Sequence, residues 1–411
     1  MRDTDHYSRL LGIKSPWSVG LVELDEEALT VKIHVRFDTS KRLRCPECKK
    51  ECPRYDSRRR SWRHLDTMQF KTFIEAEVPR INCSEHGVVT VRVPWAEDSS
   101  RYTVLFESHV IDLLLDMSIS AVARHIRLSW TAVDGIMQRA VDRGLERRSR
   151  VAPVHLSVDE TSYQKRHEYV TVVSDQTSGA VLYVADDRSK ESLAGYFTSL
   201  TEAERAGIQS VSMDMWGAYI SVVKEYLSRA LELICFDKFH VAKYLGMGLD
   251  AVRKAEHREL MAEGNDILKR TRFRWLENPQ TMDPKHWPTF QELRDSSLRT
   301  AVAYSIKEHA MCLWEYVSRT WARKAWENWI DRATSCGLKP MVKVGYTVSD
   351  YLWGIINAIV LKRDNAIAEN VNGRIQRVKS RACGYRNRER FRRVIMFYLG
   401  KLDLFPRLQN A

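Results

Sequence analysis

Two sets of residues have side-chain types and spacings that suit metal chemistry. Cys45 with Cys48, and Cys83 with His86, are two pairs with two residues inside each. Zn²⁺ takes four such ligands tetrahedrally, and a short knuckle brings each pair onto one ion, as in a zinc ribbon. KTFIEAEVPRINC reads as the strand leading into the second pair; Cys52 is a substitute ligand, and His64 reads as a surface residue. The second set is hard rather than soft. Asp159 and Asp214 stand on strand-like segments, and Glu369 lies off the apolar stripe of a basic helix. Cutting a phosphodiester needs a nucleophile in line with a leaving oxygen, and two Mg²⁺ ions about 4 Å apart can serve both. Mg²⁺, or Mn²⁺ in its place, demands converging carboxylate oxygens. Asp175, Asp186, Asp187 and Asp237 also end strands, so pattern by itself leaves the choice of acids open.

The elements that must position these acids run from residue 151 to about 260. Val154, Leu156 and Val158 alternate up to Asp159, which places that carboxylate on a strand. HEYVTVVSD (167–175) and AVLYVADD (180–187) read as two more strands around the turn QTSG. A helix over 190–200, the strand IQSVSMD, the helix GAYISVVKEYL, the strand LELICFD and a long helix follow. Three meandering strands followed by helix, strand, helix, strand and helix make a ribonuclease-H-like α/β core. Asp159 and Asp214 would then lie on adjacent strands. In the last helix, Ile367, Val371, Ile375 and Val378 form the buried stripe, with Asp364 or Asn365 as its cap. Arg374, Arg377, Lys379 and Arg381 on the same helix suit phosphate contacts.

SVDETSYQKRHEYVTVVSD, SMDMWGAYISVVKEYL, CFDKFHVAKYL and NAIAENVNGRIQRVKSRACGYRNRERFR resemble, in order, the catalytic stretches of the ISL3 family of bacterial insertion-sequence transposases. The resemblance implies Asp159, Asp214 and Glu369 as a metal-holding triad, with an α-helical insertion between the second Asp and the Glu. It also implies that Asp237 and His240 support the site, as in the Asp/Cys-x-x-His signature of related transposases. Upstream it extends to an N-terminal zinc module and a helix-turn-helix, so it covers nearly the whole chain. The activity implied is nicking of terminal inverted repeats and joining of the freed ends to target DNA. Synapsis of two ends implies a homodimer or larger assembly on double-stranded DNA. The rival readings are another ribonuclease-H-like nuclease and a DNA-binding regulator descended from a transposase.

The remaining sequence fits that expectation. A formal net charge of +12 over 411 residues favours a polyanionic partner. Eight thinly spread cysteines argue against a secreted disulfide framework. The N-terminus lacks an apolar signal core and the greasy run 353–361 is too short to cross a bilayer, so a soluble, cytoplasmic protein is expected. Arg58, Arg59 and Arg60 beside Trp62 would put phosphate contacts on the zinc module. In MSISAVARHIRLSWTAVDGIMQRAVDRG two helices flank a turn at 127–129, with Ser129 capping the second. Trp130, Thr131 and Arg139 are its expected DNA contacts. The domains read as 1–100 zinc module, 101–150 helix-turn-helix, 151–260 first part of the catalytic core, 261–350 helical insertion, and 351–411 the helices carrying the Glu. The insertion's tryptophans are expected mostly in its core.

Overall fold

The computed structural model describes residues 3–149, 152–164, 168–363 and 366–407. The chain divides into two compact units, Met1–Ser149 with Leu402–Ala411, and Arg150–Lys401.

The first unit starts with α1 (Asp3–Leu10), β1 (Trp17–Asp25), β2 (Thr30–Phe37), β3 (Arg54–Thr67), β4 (Phe70–Cys83) and β5 (Gly87–Thr90). These strands form one sheet in the order β1-β2-β4-β3, with β5 also pairing to β4. In β2 the alternating Val31, Ile33 and Val35 are buried, as a half-buried strand requires. They pack against Trp17, Trp62 and Trp95, whose rings meet edge to face at 5.0 and 5.5 Å. Three helices follow: α2 (Val104–Asp116), α3 (Ile119–His125) and α4 (Trp130–Arg147). A buried ion network joins α2 to α4. Glu107 on α2 receives Arg139 and Arg143, one turn apart on α4, and Arg143 also meets Glu97. The chain's last described residues complete this unit: Arg143 donates to the Leu404 carbonyl at 2.7 Å, and Arg147 to that of Phe405 at 2.6 Å. Gly144 permits the approach, since a Cβ there would lie 2.6 Å from that of Leu402. Residues 402–407 therefore belong with the N-terminal unit, not with the 351–411 segment expected from sequence.

The second unit opens with β6 (His155–Gln164), β7 (Glu168–Asp175), β8 (Val181–Asp186), α5 (Lys190–Ser199), α6 (Glu202–Ala206), β9 (Ser210–Met213), α7 (Gly217–Tyr226), α8 (Ala230–Leu233) and β10 (Ile234–Phe236). Its sheet runs β10-β9-β6-β7-β8; β6–β7 and β7–β8 are antiparallel, β6–β9 and β9–β10 parallel. This is the ribonuclease-H-like arrangement. LELICFD proves to be a helical turn followed by a short strand. Asn357 Nδ2 donates to the Leu231 and Ile234 carbonyls and holds that turn, so the sheet gains only three residues there.

Then come α9 (Lys238–Ala262), α10 (Arg272–Leu276), α11 (Trp287–Arg294), α12 (Arg299–Cys312), α13 (Arg319–Ser335), α14 (Lys339–Leu361), α15 (Ala366–Arg381) and α16 (Arg388–Leu399). Trp275, Trp326 and Trp329 are fully buried in the insertion, whereas Trp321 is 62% exposed. The expected insertion boundary at 350 falls inside α14, a continuous helix that packs on α9, α13 and β10. Gly354 lets its backbone approach the sheet, because a Cβ there would sit 2.4 Å from the Phe236 ring. By length and composition α14 could cross a membrane, but 56% of its apolar window is buried within the fold.

Candidate active site and metal site

Cys45, Cys48, Cys83 and His86 come together with their ligand atoms all within 4.8 Å of one another, the one such group among the described residues. Cys48 Sγ lies 3.6 Å from Cys83 Sγ, and His86 Nδ1 lies 3.7 Å from Cys45 Sγ and 3.6 Å from Cys83 Sγ. Backbone N–H donation at Glu85, then the His86 ring, pull the Cys83 thiol down to about 6, which favours the metal-binding thiolate. Cys52 stays outside the group, its thiol turned to the Lys50 carbonyl. His64 is not a surface residue: it is half-buried with Nδ1 2.9 Å from Thr103 Oγ1, and burial, then the charge of Arg63, depress it to about 4.

In the helix-turn-helix, Arg127 takes a left-handed φ of 57° between α3 and α4, and the Ser129 side chain accepts from Ala132 N–H. Trp130 and Thr131 are exposed on the first turn of α4. Arg139 is differently placed from its expected role. Its guanidinium binds the buried Glu107 and lies over the Tyr102 ring, because a carboxylate this buried needs its counter-charges. On the zinc module, Arg59 pairs with Glu75, and Arg60 donates to the Ser100 carbonyl and lies over Trp62. Arg58, Arg59 and Arg60 nonetheless line a cleft of about 650 Å³ with Arg92 and Arg101.

In the second unit, strand register sets the acids in a row. Ser157 of β6 pairs with Ser212 of β9, and Met213 of β9 pairs with Phe236 of β10. Asp159 and Asp214 each lie two residues beyond their paired serine, and Asp237 is one beyond Phe236. The three carboxylates therefore follow one another along one edge of the parallel strands. Burial, then the charge of Glu160, and further those of Asp214 and Asp237, push the Asp159 carboxyl up to about 7. Asp159 Oδ1 accepts from Glu160 N–H at 2.8 Å, and His240 Nδ1, in the first turn of α9, lies 3.4 Å from Asp214 Oδ1. Asp237 is buried at the start of α9.

α15 follows the outer half of β6 along a single stripe. Asn372 donates to Asp159 Oδ2 at 2.7 Å, Gln376 to Thr161 Oγ1 at 2.8 Å, and Lys379 to the Ser162 carbonyl at 2.7 Å. Glu369 is three residues before Asn372 and so extends this stripe by one turn, on the exposed start of the helix. The three triad acids are not gathered as tightly as the zinc ligands. The expected caps Asp364 and Asn365 lie outside the described residues. Lys379 is engaged with β6, whereas Arg374 and Arg377 line a cleft of about 420 Å³ with Arg381 and Tyr398. Asn372 and Gln376 are not among the residues expected from sequence, although Glu369, Asn372, Gln376 and Lys379 fall at i, i+3, i+7 and i+10 on one helix stripe.

Hard acids in register along a ribonuclease-H-like edge are the layout of a phosphoryl-transfer enzyme. Comparison with known proteins narrows that class. Residues 156–395 match the ISL3 DDE transposase family, residues 91–141 the helix-turn-helix domain of transposase family ISL3, and residues 41–86 the zinc finger of transposase IS204/IS1001/IS1096/IS1165. The chain is 27% identical to the transposase for insertion sequence element IS1001 of Bordetella parapertussis, covering 93% of this chain and 95% of that one. It is also 27% identical to the transposase for insertion sequence element IS1557 of Mycobacterium tuberculosis, covering 94% and 93%. The chain belongs to the ISL3 family of DDE transposases.

Proposed function

We propose that the protein binds the terminal inverted repeats of its own element through the N-terminal unit, and cuts and joins DNA strands at Asp159, Asp214 and Glu369. One observation carries the site assignment: three aspartates stand in register on one sheet edge, with the Asp159 carboxyl pushed up to about 7. Burial and the neighbouring acids both press on Asp159 there, and the donors are hard oxygens, so the edge fits Mg²⁺ or Mn²⁺. Such ions, when bound, supply charge neutralisation at the attacking and leaving oxygens.

The chain's own residues prepare that chemistry. Asn372 fixes the Asp159 carboxylate by donating to Oδ2, and His240 stands beside Asp214 as its orienting partner. Glu369 supplies the third carboxylate from the α15 stripe. Asp237 adds buried negative charge behind the row. Arg374 and Arg377 offer charge to the DNA backbone from the α15 cleft. Lys379, engaged by Ser162, and Arg139, engaged by Glu107, act on DNA only by way of the elements they hold. On the N-terminal unit, Trp130 and Thr131 enter a groove while Arg58, with Arg59 and Arg60 beside it, meets phosphates. Two copies act together on two ends, in the cytoplasm where the DNA lies.

The test uses the full chain, Mg²⁺ and duplex DNA carrying the element's own ends. Nicks should map to the element boundary and vanish with chelator. Nicks scattered without regard to the ends would point instead to a general ribonuclease-H-like nuclease.

A further inference from the structure

Beside the acid row is a group of side chains that the triad chemistry does not use. Arg188 follows β8, the strand two places along the sheet from β6 and parallel to it, so it emerges at the same edge as Asp159. Its guanidinium lies 4.2 Å above the Trp216 ring and 5.2 Å from that of Tyr169. Trp216 is two residues past Asp214, and its Nε1 donates to the Arg188 carbonyl at 3.3 Å. Arg188 Nη1 donates to Glu160 Oε1 at 3.1 Å, and Glu160 is the residue next to Asp159.

Three features separate this group from an ordinary structural ion pair. Arg188 and Trp216 are each 38% exposed, although they flank a site where most groups are covered. The pairing is one-sided: a guanidinium has five N–H donors in a planar fork, and only Nη1 meets a protein acceptor among the described residues. Glu160 in turn uses one oxygen, while its Oε2 is buried without a hydrogen-bond partner. A tight structural pair would be bidentate. Meanwhile the indole face holds the guanidinium flat, which removes side-chain entropy before any ligand arrives.

We propose that Arg188 is a phosphate-gripping residue of the catalytic edge, preorganised by Trp216 and held by Glu160 until a DNA strand displaces that carboxylate. The ligand is a backbone phosphate of the strand crossing the edge, bound through the open side of the guanidinium fork. Glu160 is a positioning residue that keeps the fork aimed and its charge paired in the free protein. The inference rests on the proposed role of this edge in cleavage, so its test separates the two.

The experiment uses the full chain with end DNA, varying Arg188→Met, Arg188→Lys and Glu160→Gln, each also in an Asp159→Asn background. Met keeps the aliphatic stem on Trp216, which guards against misfolding. Arg188→Met should raise KM about tenfold with a smaller change in kcat, since a phosphate contact is present before and during the chemical step. The salt dependence of binding should become shallower by about one phosphate contact, in the Asp159→Asn background as well. Lys should restore the salt slope but only part of the KM, having charge without the fork. Glu160→Gln should tighten DNA binding by about two- to threefold, because the competing anion is gone. Unchanged KM and salt slope in a folded Arg188→Met protein would overturn the proposal. So would Glu160→Gln abolishing cleavage without altering binding, which would make Glu160 a cation ligand instead. Failure of the cleavage reading would show separately, as normal cutting by Asp159→Asn alone.

Discussion

The two metal-type sites of this molecule are built on opposite electrostatic terms. In the zinc ribbon, four ligand atoms lie within 4.8 Å of one another, and backbone N–H groups with the His86 ring draw Cys83 toward its thiolate. On the sheet edge the groups are carboxyls, and burial, then the charge of Glu160, raise Asp159 instead. The fold accordingly fixes Asp159 on β6 and Asp214 directly after β9, and leaves Glu369 on the exposed first turn of α15. A structural site can be closed in advance. On the proposed reading, the catalytic edge keeps one carboxylate back, on the first turn of a helix.

That contrast fails most visibly if the edge is not the site of chemistry. Asp159→Asn, Asp214→Asn and Glu369→Gln should each lower nicking and joining on the order of a thousandfold or more, with end binding retained. Asp175→Asn and Asp187→Asn, acids on other loops of the sheet, serve as controls in the same strand-transfer assay and should stay active. Normal cutting by Glu369→Gln would move the third ligand elsewhere and remove the idea of a held-back carboxylate. On the zinc side, Cys45→Ser or Cys83→Ser should drop metal content from about one zinc per chain to none. The N-terminal unit should then melt early while the catalytic unit keeps its own transition, as calorimetry and metal analysis would show.

Two smaller effects sharpen the picture of the N-terminal unit. Arg139→Ala leaves the buried Glu107 with Arg143 as its remaining cation. Half-exposure of Arg139 moderates the cost to about 2 to 3 kcal/mol of unit stability. Binding to end and random DNA should fall together; a selective loss on end DNA would restore Arg139 as a base reader. His64 titrates at about 4 in the fold against 6.5 in the unfolded chain. Its contribution is fully present above 6.5 and is lost as pH falls from 6.5 toward 4, because the unfolded chain takes up the proton first. Allowing for partial exposure, denaturant melts across that window should lose about 1 to 2 kcal/mol. His64→Asn should flatten the dependence, and an unchanged slope would place the acid sensitivity elsewhere.

Much of the catalytic sheet was legible because strand alternation and turn residues are local signals: β6, β7, β8 and β9 match the segments read from sequence. β10 was misread because apolar LELIC carries no sign that Asn357, far along the chain, would hold its first residues as a helical turn. The zinc set was legible from spacing, and the Ser129 cap from a local motif. The partners of Arg139 and His64 are not visible in the sequence, for a shared reason. A charged or polar residue on an amphipathic element looks solvated until its partners, Glu107 or Thr103, are brought in by tertiary packing. The Asn372–Asp159 hydrogen bond was hidden the same way, since only the folded chain sets α15 beside β6.

The strap formed by residues 402–407 has a consequence for the order of synthesis. The zinc ribbon and helix-turn-helix are made before the catalytic unit, yet Arg143 and Arg147 find their carbonyl partners on Leu404 and Phe405 only after it. The DNA-binding unit is thus begun before the catalytic unit and finished after it. A chain cut short inside the catalytic region would carry an unfinished DNA-binding unit, and a fragment ending at residue 149 would inherit the same defect. A finished DNA-binding unit then becomes a mark of a chain that has been made through the whole catalytic unit.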